Sequence, residues 1–183
     1  MTPADTEPSL VAKVLAVHEA LLAGGVEHAF GGALALAYWT ADPRTTADID
    51  VNISVAAAGA GPVLDALPPG IAIPSEALRR IAADDQIRLR WGRTPIDLFF
   101  RVTSFHDGIA DRSLNRPFAG RLLPFVCADD LAVLKCLFDR PKDWVDITAM
   151  RDAGSLTLPA VIERVAMIVG GEDARTDRLR QLE

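Results

Sequence analysis

The stretch "FGGALALAYWTADPRTTADIDVNIS", residues 30–54, decides how the rest of the chain is read. Gly31 and Gly32 follow a short apolar run, "VEHAF", that reads as a strand. They precede "ALALAYW", a strongly helix-forming segment, and "ADPRTT" then makes a turn-rich break. From Asp48 onward the pattern alternates. Ile49, Val51, Ile53 and Val55 fall on one face, and Asp48, Asp50, Asn52 and Ser54 on the other. Carboxylates are poor strand formers, so two of them on one strand face call for a reason.

A second strand supplies part of that reason. "QIRLRW-GRT-PIDLFFR" reads as a hairpin whose second arm carries Asp97 between Ile96 and Leu98. If that arm lies beside the first strand, three carboxylates converge and repel one another unless a cation compensates them. Mg²⁺ is suited to this role, because it prefers oxygen ligands and is held by one or two carboxylates plus substrate phosphates. Two such ions can activate an attacking hydroxyl and stabilise a departing pyrophosphate. The glycine pair suits the same chemistry, since backbone N–H groups at the start of a helix bind phosphate and a Cβ would block close approach. Each feature also has a plainer reading: a solvated edge strand for Asp48 and Asp50, an ordinary strand-to-helix turn for Gly31 and Gly32, and a solvent-facing hairpin position for Asp97.

The 183 residues fit one compact domain, with 50% apolar and 24% charged side chains. No run approaches the ~18 apolar residues of a membrane span, and "MTPADTEPSL" lacks the basic-then-apolar pattern of a signal peptide. A cytoplasmic protein without membrane contact is expected. Cys127 and Cys136 are the only cysteines, which excludes a disulfide framework, and His18, His28 and His106 share no zinc-ligand spacing. Ser9 is placed to cap a first helix that Gly24-Gly25 ends. "GPVLDAL" and "PSEALRRIAADD" read as helices, a helix is expected near residues 105–112, and "RLLPFVC" reads as a strand. "ADDLAVLKCLFDR", "KDWVDITAMRDAG" and "LPAVIERVAMIVG" each carry a helical apolar stripe, and the first few and last dozen residues read as frayed.

The net charge of −6 conceals an asymmetry. Only Lys13 and Arg44 of the 19 basic residues precede position 79, whereas nine fall within residues 79–121 against five acids there. This belt is either a solvated arginine-rich hairpin or a basic wall facing an anionic ligand such as RNA or a nucleoside triphosphate.

The combination "GG…RTTADIDV…PIDLFF" resembles the signature of the DNA polymerase beta-type nucleotidyltransferase superfamily. The spacing of Arg44, Thr46, Asp48 and Asp50 is similar to that of minimal bacterial nucleotidyltransferases. The later "DDLAVLKCLFDRPKDWVDI" is similar to a helix motif of the AbiEii-type toxins of type IV toxin–antitoxin systems. The resemblance covers residues 31–147 and implies an α+β nucleotidyltransferase fold, a mixed β-sheet flanked by helices with a helical C-terminal region. Residues 1–128 would form the core and residues 129–183 the helical region packed on it. It also implies transfer of a nucleoside monophosphate from a triphosphate to an acceptor hydroxyl.

Carried over position by position, Gly31, Gly32, Arg44 and Thr46 would bind nucleotide, and Asp48, Asp50 and Asp97 would bind Mg²⁺, two ions in all. Asp97 would also serve as base, Lys135 would reach phosphate, and Asp143 and Asp146 would form a second motif. Structural alternatives exist for the last three: a snorkelling surface lysine for Lys135, and pairing with Arg140 or Lys142 for the two acids. Gly31-Gly32-Ala33 departs from relatives that place a serine there. The toxin branch implies RNA, at the 3′ end of tRNA, as acceptor and a separately encoded antitoxin as partner. An antibiotic-modifying enzyme of the aminoglycoside or lincosamide kind would share the metal site, with an acidic acceptor cleft rather than a basic one, and a non-catalytic nucleotide-binding module is the alternative outside enzymes.

Overall fold

The computed structural model describes residues 7–41 and 45–183, so the expectations placed on Arg44 and on the first six residues lie outside the described residues. Strands β1 (His28–Phe30), β2 (Ile49–Ala56), β3 (Gln86–Trp91), β4 (Thr94–Arg101), β5 (Leu114–Phe118) and β6 (Arg121–Phe125) form one six-stranded sheet in the order β3-β4-β2-β1-β6-β5. The sheet is mixed. The β1–β2, β3–β4 and β5–β6 pairs are antiparallel, and β2–β4 and β1–β6 are parallel. With helices packed around it, the architecture is the α+β arrangement expected.

Alternation fixes which side of each strand meets the core. Ile49, Val51 and Ile53 of β2, Ile87 and Leu89 of β3, and Ile96, Leu98 and Phe100 of β4 are all buried. Their neighbours Asp50, Asn52, Arg88, Asp97 and Phe99 therefore point to the opposite face. The hairpin β3–β4 turns through Gly92 and Arg93, which sets Trp91 opposite Thr94 and Arg88 opposite Asp97.

Helix α1 (Leu10–Ala23) starts at Ser9, whose Oγ accepts a hydrogen bond from the Ala12 N–H, and ends at Gly24. Its Lys13 is fully buried, donating from Nζ to Glu7, to the Trp91 carbonyl at 2.8 Å and to Thr94 Oγ1 at 2.9 Å. That one side chain fastens α1 to the β3–β4 turn. Helix α2 (Gly32–Trp39) lies between β1 and β2 in the chain, and α3 (Ala60–Ala66) and α4 (Ala77–Asp84) lead into β3. Two short helices, α5 (Ser104–Asp107) and α6 (Ile109–Arg112), stand where one helix was expected. After β6 come α7 (Ala128–Phe138), α8 (Pro141–Asp152), α9 (Leu158–Val169) and α10 (Ala174–Arg180), with α7 packed against α2, α8 and α9.

Two elements differ from the sequence expectation. "LNRPF", for which the sequence predicts no element, forms β5, with Pro117 on an edge strand where a missing N–H costs least. The last dozen residues read as frayed, yet α10 is held by Asp173, which caps it through the Arg175 N–H, and by fully buried Thr176 and Leu179. One leucine in a polar heptapeptide makes no stripe, so tertiary packing alone reveals it. No helix among the described residues is long and apolar enough to cross a membrane.

Candidate active site

The parallel pairing of β2 with β4 sets Asp50 directly beside Asp97, and Asp48 lies just before β2. All three line one cleft of about 660 Å³, together with Gly32, Asn52, Arg88, Lys135, Asp143 and Asp146. Thr46 lies beside Asp48 at the entrance to β2. Its hydroxyl donates to Asp48 Oδ1 at 2.8 Å and so orients that carboxylate.

The glycine pair has a sharp steric reason. Gly32 adopts φ +53°, and a Cβ there would come within 1.7 Å of Asp50 Oδ2; a Cβ on Gly31 would come within 2.7 Å of Asn52 Nδ2. Only hydrogen fits at Gly32 without moving Asp50, whereas at Gly31 the obstacle is the amide end of the Asn52 side chain. The free Gly31 N–H expected from sequence is not free, because it donates to the Asp50 carbonyl at 2.9 Å. The first intrahelical bond of α2 runs from the Ala35 N–H to the Gly31 carbonyl. Helix geometry thus leaves the N–H groups of residues 32–34 as the open donors beside the carboxylates.

Burial first, and then the charges of Asp97 and Asp48, push the Asp50 carboxyl up to about 6; Lys135 and Arg88 pull it the other way without restoring it. The site is short of positive charge. Asp97, 8% exposed, receives both arms of the Arg88 guanidinium, Nε to Oδ1 at 2.7 Å and Nη2 to Oδ2 at 2.6 Å. With Asp97 so held, no three His, Cys, Asp or Glu side chains among the described residues stand together as a preformed metal cage. The donor chemistry nevertheless fits an oxygen-seeking divalent cation, since Asp48 and Asp50 offer carboxylates at an open cleft and Asp97 adjoins them in register.

Lys135 is buried on α7 rather than snorkelling. Its Nζ donates to Asp146 Oδ2 at 2.7 Å and lies 3.8 Å from Asp143 Oδ1. Asp143 is itself paired with Arg140 through two side-chain hydrogen bonds, and although burial alone would raise its carboxyl, Arg140 and Lys135 hold it below the ordinary value. Asp143 and Asp146 thus position Lys135 at the cleft wall. Beyond them the wall is apolar, with Leu134, Leu137 and an edge-on pair of Phe99 and Phe138.

Arg88 was legible only as one member of a basic belt; its place opposite Asp97 follows from counting back along the hairpin from the Gly92–Arg93 turn. The belt itself does not form one wall. Arg88 and Arg90 lie on β3 at one edge of the sheet, and Arg116 and Arg121 on β5 and β6 at the other. Arg88, Arg93, Arg101, Arg112 and Arg121 each have an acidic partner.

No protein-family model matches the chain, and no curated protein matches it in sequence. Solved structures do match in fold. A crystal structure of ANT(2")-Ia in complex with adenylyl-2"-tobramycin superposes with a TM-score of 0.58 at 12% identity, over 93% of this chain and 97% of that one. A solution structure of the antibiotic-resistance factor ANT(2'')-Ia superposes with a TM-score of 0.53 at 14% identity, over 96% and 91%. The architecture around the carboxylate cleft is therefore a nucleotidyltransferase-like fold, shared along nearly the full length of both chains.

Proposed function

We propose that the chain is a Mg²⁺-dependent nucleotidyltransferase that moves a nucleoside monophosphate from a nucleoside triphosphate to an acceptor hydroxyl. The observation that carries this reading is the charge-deficient pair Asp50–Asp97, side by side in a parallel register with Asp48 at an open cleft. Asp48 and Asp50 would hold the cation, joined by Asp97, and the bound Mg²⁺ would neutralise phosphate charge at the reacting centre. The open N–H groups at the start of α2 are placed to donate to the triphosphate. Gly32 keeps the backbone close to Asp50, and Thr46 orients the Asp48 carboxylate. Lys135, steadied by Asp146 and Asp143, presents a cation to phosphate from the opposite wall. Asp97 is the candidate base for the acceptor hydroxyl, with Asp50 beside it. Catalysis of this kind rests on positioning and charge stabilisation more than on covalent chemistry.

For the acceptor, the cleft's charge favours a small cationic molecule. Seven carboxylates line it against five cationic side chains, Arg80, Arg88, Lys135, Arg140 and Lys142. Together with the fold likeness to an aminoglycoside-modifying enzyme, this supports an aminoglycoside-type acceptor. The second reading is an AbiEii-like toxin that modifies the 3′ end of tRNA and is neutralised by a cognate antitoxin. It is favoured by the motif around Lys135–Asp146 and by Arg80 and Lys142, cleft-lining cations with no ion pair among the described residues. The test is transfer of label from each α-phosphate-labelled nucleoside triphosphate, with Mg²⁺, to a panel of aminoglycosides and to total tRNA. Label on a drug that vanishes in the Asp48→Ala/Asp50→Ala protein is expected. Label on tRNA alone would install the toxin reading, and triphosphate binding with no transfer to any acceptor would leave a binding module.

A further inference from the structure

The Arg88–Asp97 contact is unusual in where its two ends lie. Asp97 is nearly buried at the floor of the cleft, but the Arg88 side chain is 56% exposed. The antiparallel register places them as direct cross-strand neighbours, so the guanidinium reaches across one strand spacing and chelates both carboxylate oxygens. Asp97 has two oxygens, and both are taken. Among the described residues, Asp97 alone anchors the Arg88 head group: its Nε and Nη2 are the atoms donating, and the acceptor is Asp97 in each case. A guanidinium fork of this geometry is the strongest contact a lone carboxylate makes with a side chain, yet half-exposed ion pairs are readily traded for a better anion. The neighbouring carboxylate Asp50, by contrast, has no cation bonded to it among the described residues.

We propose that Arg88 is an internal counter-cation that occupies the third carboxylate of the cleft until substrate arrives. Divalent-cation binding at Asp97 and guanidinium binding at Asp97 exclude each other. The triphosphate provides the anion to which Arg88 transfers, because the fork that fits a carboxylate also fits a phosphate and the side chain lies on the cleft lining. Arg88 is in this sense a positioning residue: it keeps the carboxylate cluster from repelling itself in the empty protein, and it couples cation uptake to nucleotide uptake. The inference rests on the divalent-cation reading of the cleft.

The experiment measures Mn²⁺ affinity directly, by electron paramagnetic resonance titration of the free ion, in the absence of nucleotide. Wild type, Arg88→Gln, Arg88→Lys, Arg80→Gln and Asp50→Asn are compared. Arg80 lines the same cleft with no carboxylate contact among the described residues, so Arg80→Gln reports what loss of one nearby charge does. Arg88→Gln should tighten Mn²⁺ binding by on the order of tenfold. Arg88→Lys, which keeps the charge and loses the fork, should recover most of that gain, and Arg80→Gln should recover little. With a non-hydrolysable triphosphate present, the advantage of Arg88→Gln should disappear, because wild-type Arg88 has then left Asp97. Asp50-dependent Mn²⁺ binding that is the same in wild type and Arg88→Gln would overturn this inference while leaving the metal reading intact. Arg88→Lys binding like wild type would overturn it also, by showing that charge and not chelation matters. Absence of Mn²⁺ binding in every variant would overturn the metal reading and this inference with it.

Discussion

Asp130 and Asp50 are both carboxylates drawn into the interior of one chain, and the fold treats them in opposite ways. Asp130 is fully buried on α7, and its two oxygens are taken by Arg112 Nε at 2.8 Å and Arg164 Nη1 at 2.6 Å. Arg112 is further fixed by the Phe105 carbonyl at 2.9 Å and lies over the Phe105 ring. One acid thus ties α6, α7 and α9 together with its charge answered twice. Asp50 sits against Asp97 and Asp48 at an open cleft, with a carboxyl pushed up to about 6 that Lys135 and Arg88 do not restore. A fold that supplies two arginines to one buried acid and leaves another beside two more acids separates a structural hub from a cluster whose charge is not fully answered.

The contrast can be broken by mutation. Asp130→Ala should be the most costly change, lowering stability by about 1–3 kcal/mol, because it leaves two half-buried arginines without their shared carboxylate. Chemical denaturation reads the loss. Transfer activity per folded molecule should be unaltered, and a stable Asp130→Ala protein without activity would put Asp130 on the wrong side of the comparison. Gly32→Ala should act the other way round. A left-handed alanine costs only ~1–2 kcal/mol, but its Cβ must displace Asp50, so nucleotide transfer should fall by at least about tenfold, read as kcat/KM on a protein that still melts cooperatively. Equal activity would mean that Asp50 tolerates relocation.

A smaller effect separates a third pair of buried groups. His18 Nδ1 lies 3.0 Å from His28 Nε2, and His28 Nδ1 lies 2.8 Å from the Val26 carbonyl. Burial lowers both rings below the ordinary 6.5. The unfolded chain therefore binds protons first as pH falls. The stability the pair contributes is fully present above about 6.5 and is lost as pH drops toward the lower folded-state values. The pair should cost wild type about 1 kcal/mol or less between pH 7 and 5. Asp50 acts in the opposite sense over the same window, because its raised carboxyl takes up a proton in the folded state first, so His18→Gln against wild type isolates the histidine part of the slope. Equal slopes would remove the histidine pair from the account.

How much of this was legible in the sequence depended on whether the signal was local. Alternation in "DIDVNIS" and "PIDLFF" placed β2, β4 and the three acids, because period two is written into consecutive residues. The Gly-Gly pair was legible as a site feature, yet its tightest reason, contact with Asp50, needed the β1–β2 pairing. Arg88 was counted as belt charge, since the partner that gives it meaning is set by hairpin register. The arginine belt failed for a related reason: neighbours in sequence were distributed to opposite sheet edges by the crossover from β4 to β5. Lys135 was legible from its motif, but its tether to Asp146 at the cleft wall depends on how α7 packs on α8, and Asp130 gave no sign of its role because Arg112 and Arg164 are remote in the chain.

The central claim, that the Asp48–Asp50–Asp97 cluster is held at a cost to the empty protein because it binds a cation with nucleotide, is tested most directly by thermal melting of Asp50→Asn beside wild type, with and without Mg²⁺ and nucleoside triphosphate. The account predicts that Asp50→Asn melts at or above the wild-type temperature when empty and gains nothing from Mg²⁺ and triphosphate, while wild type shifts upward. An Asp50→Asn protein that melts well below wild type, or that is stabilised by Mg²⁺ and triphosphate as much as wild type, would contradict it.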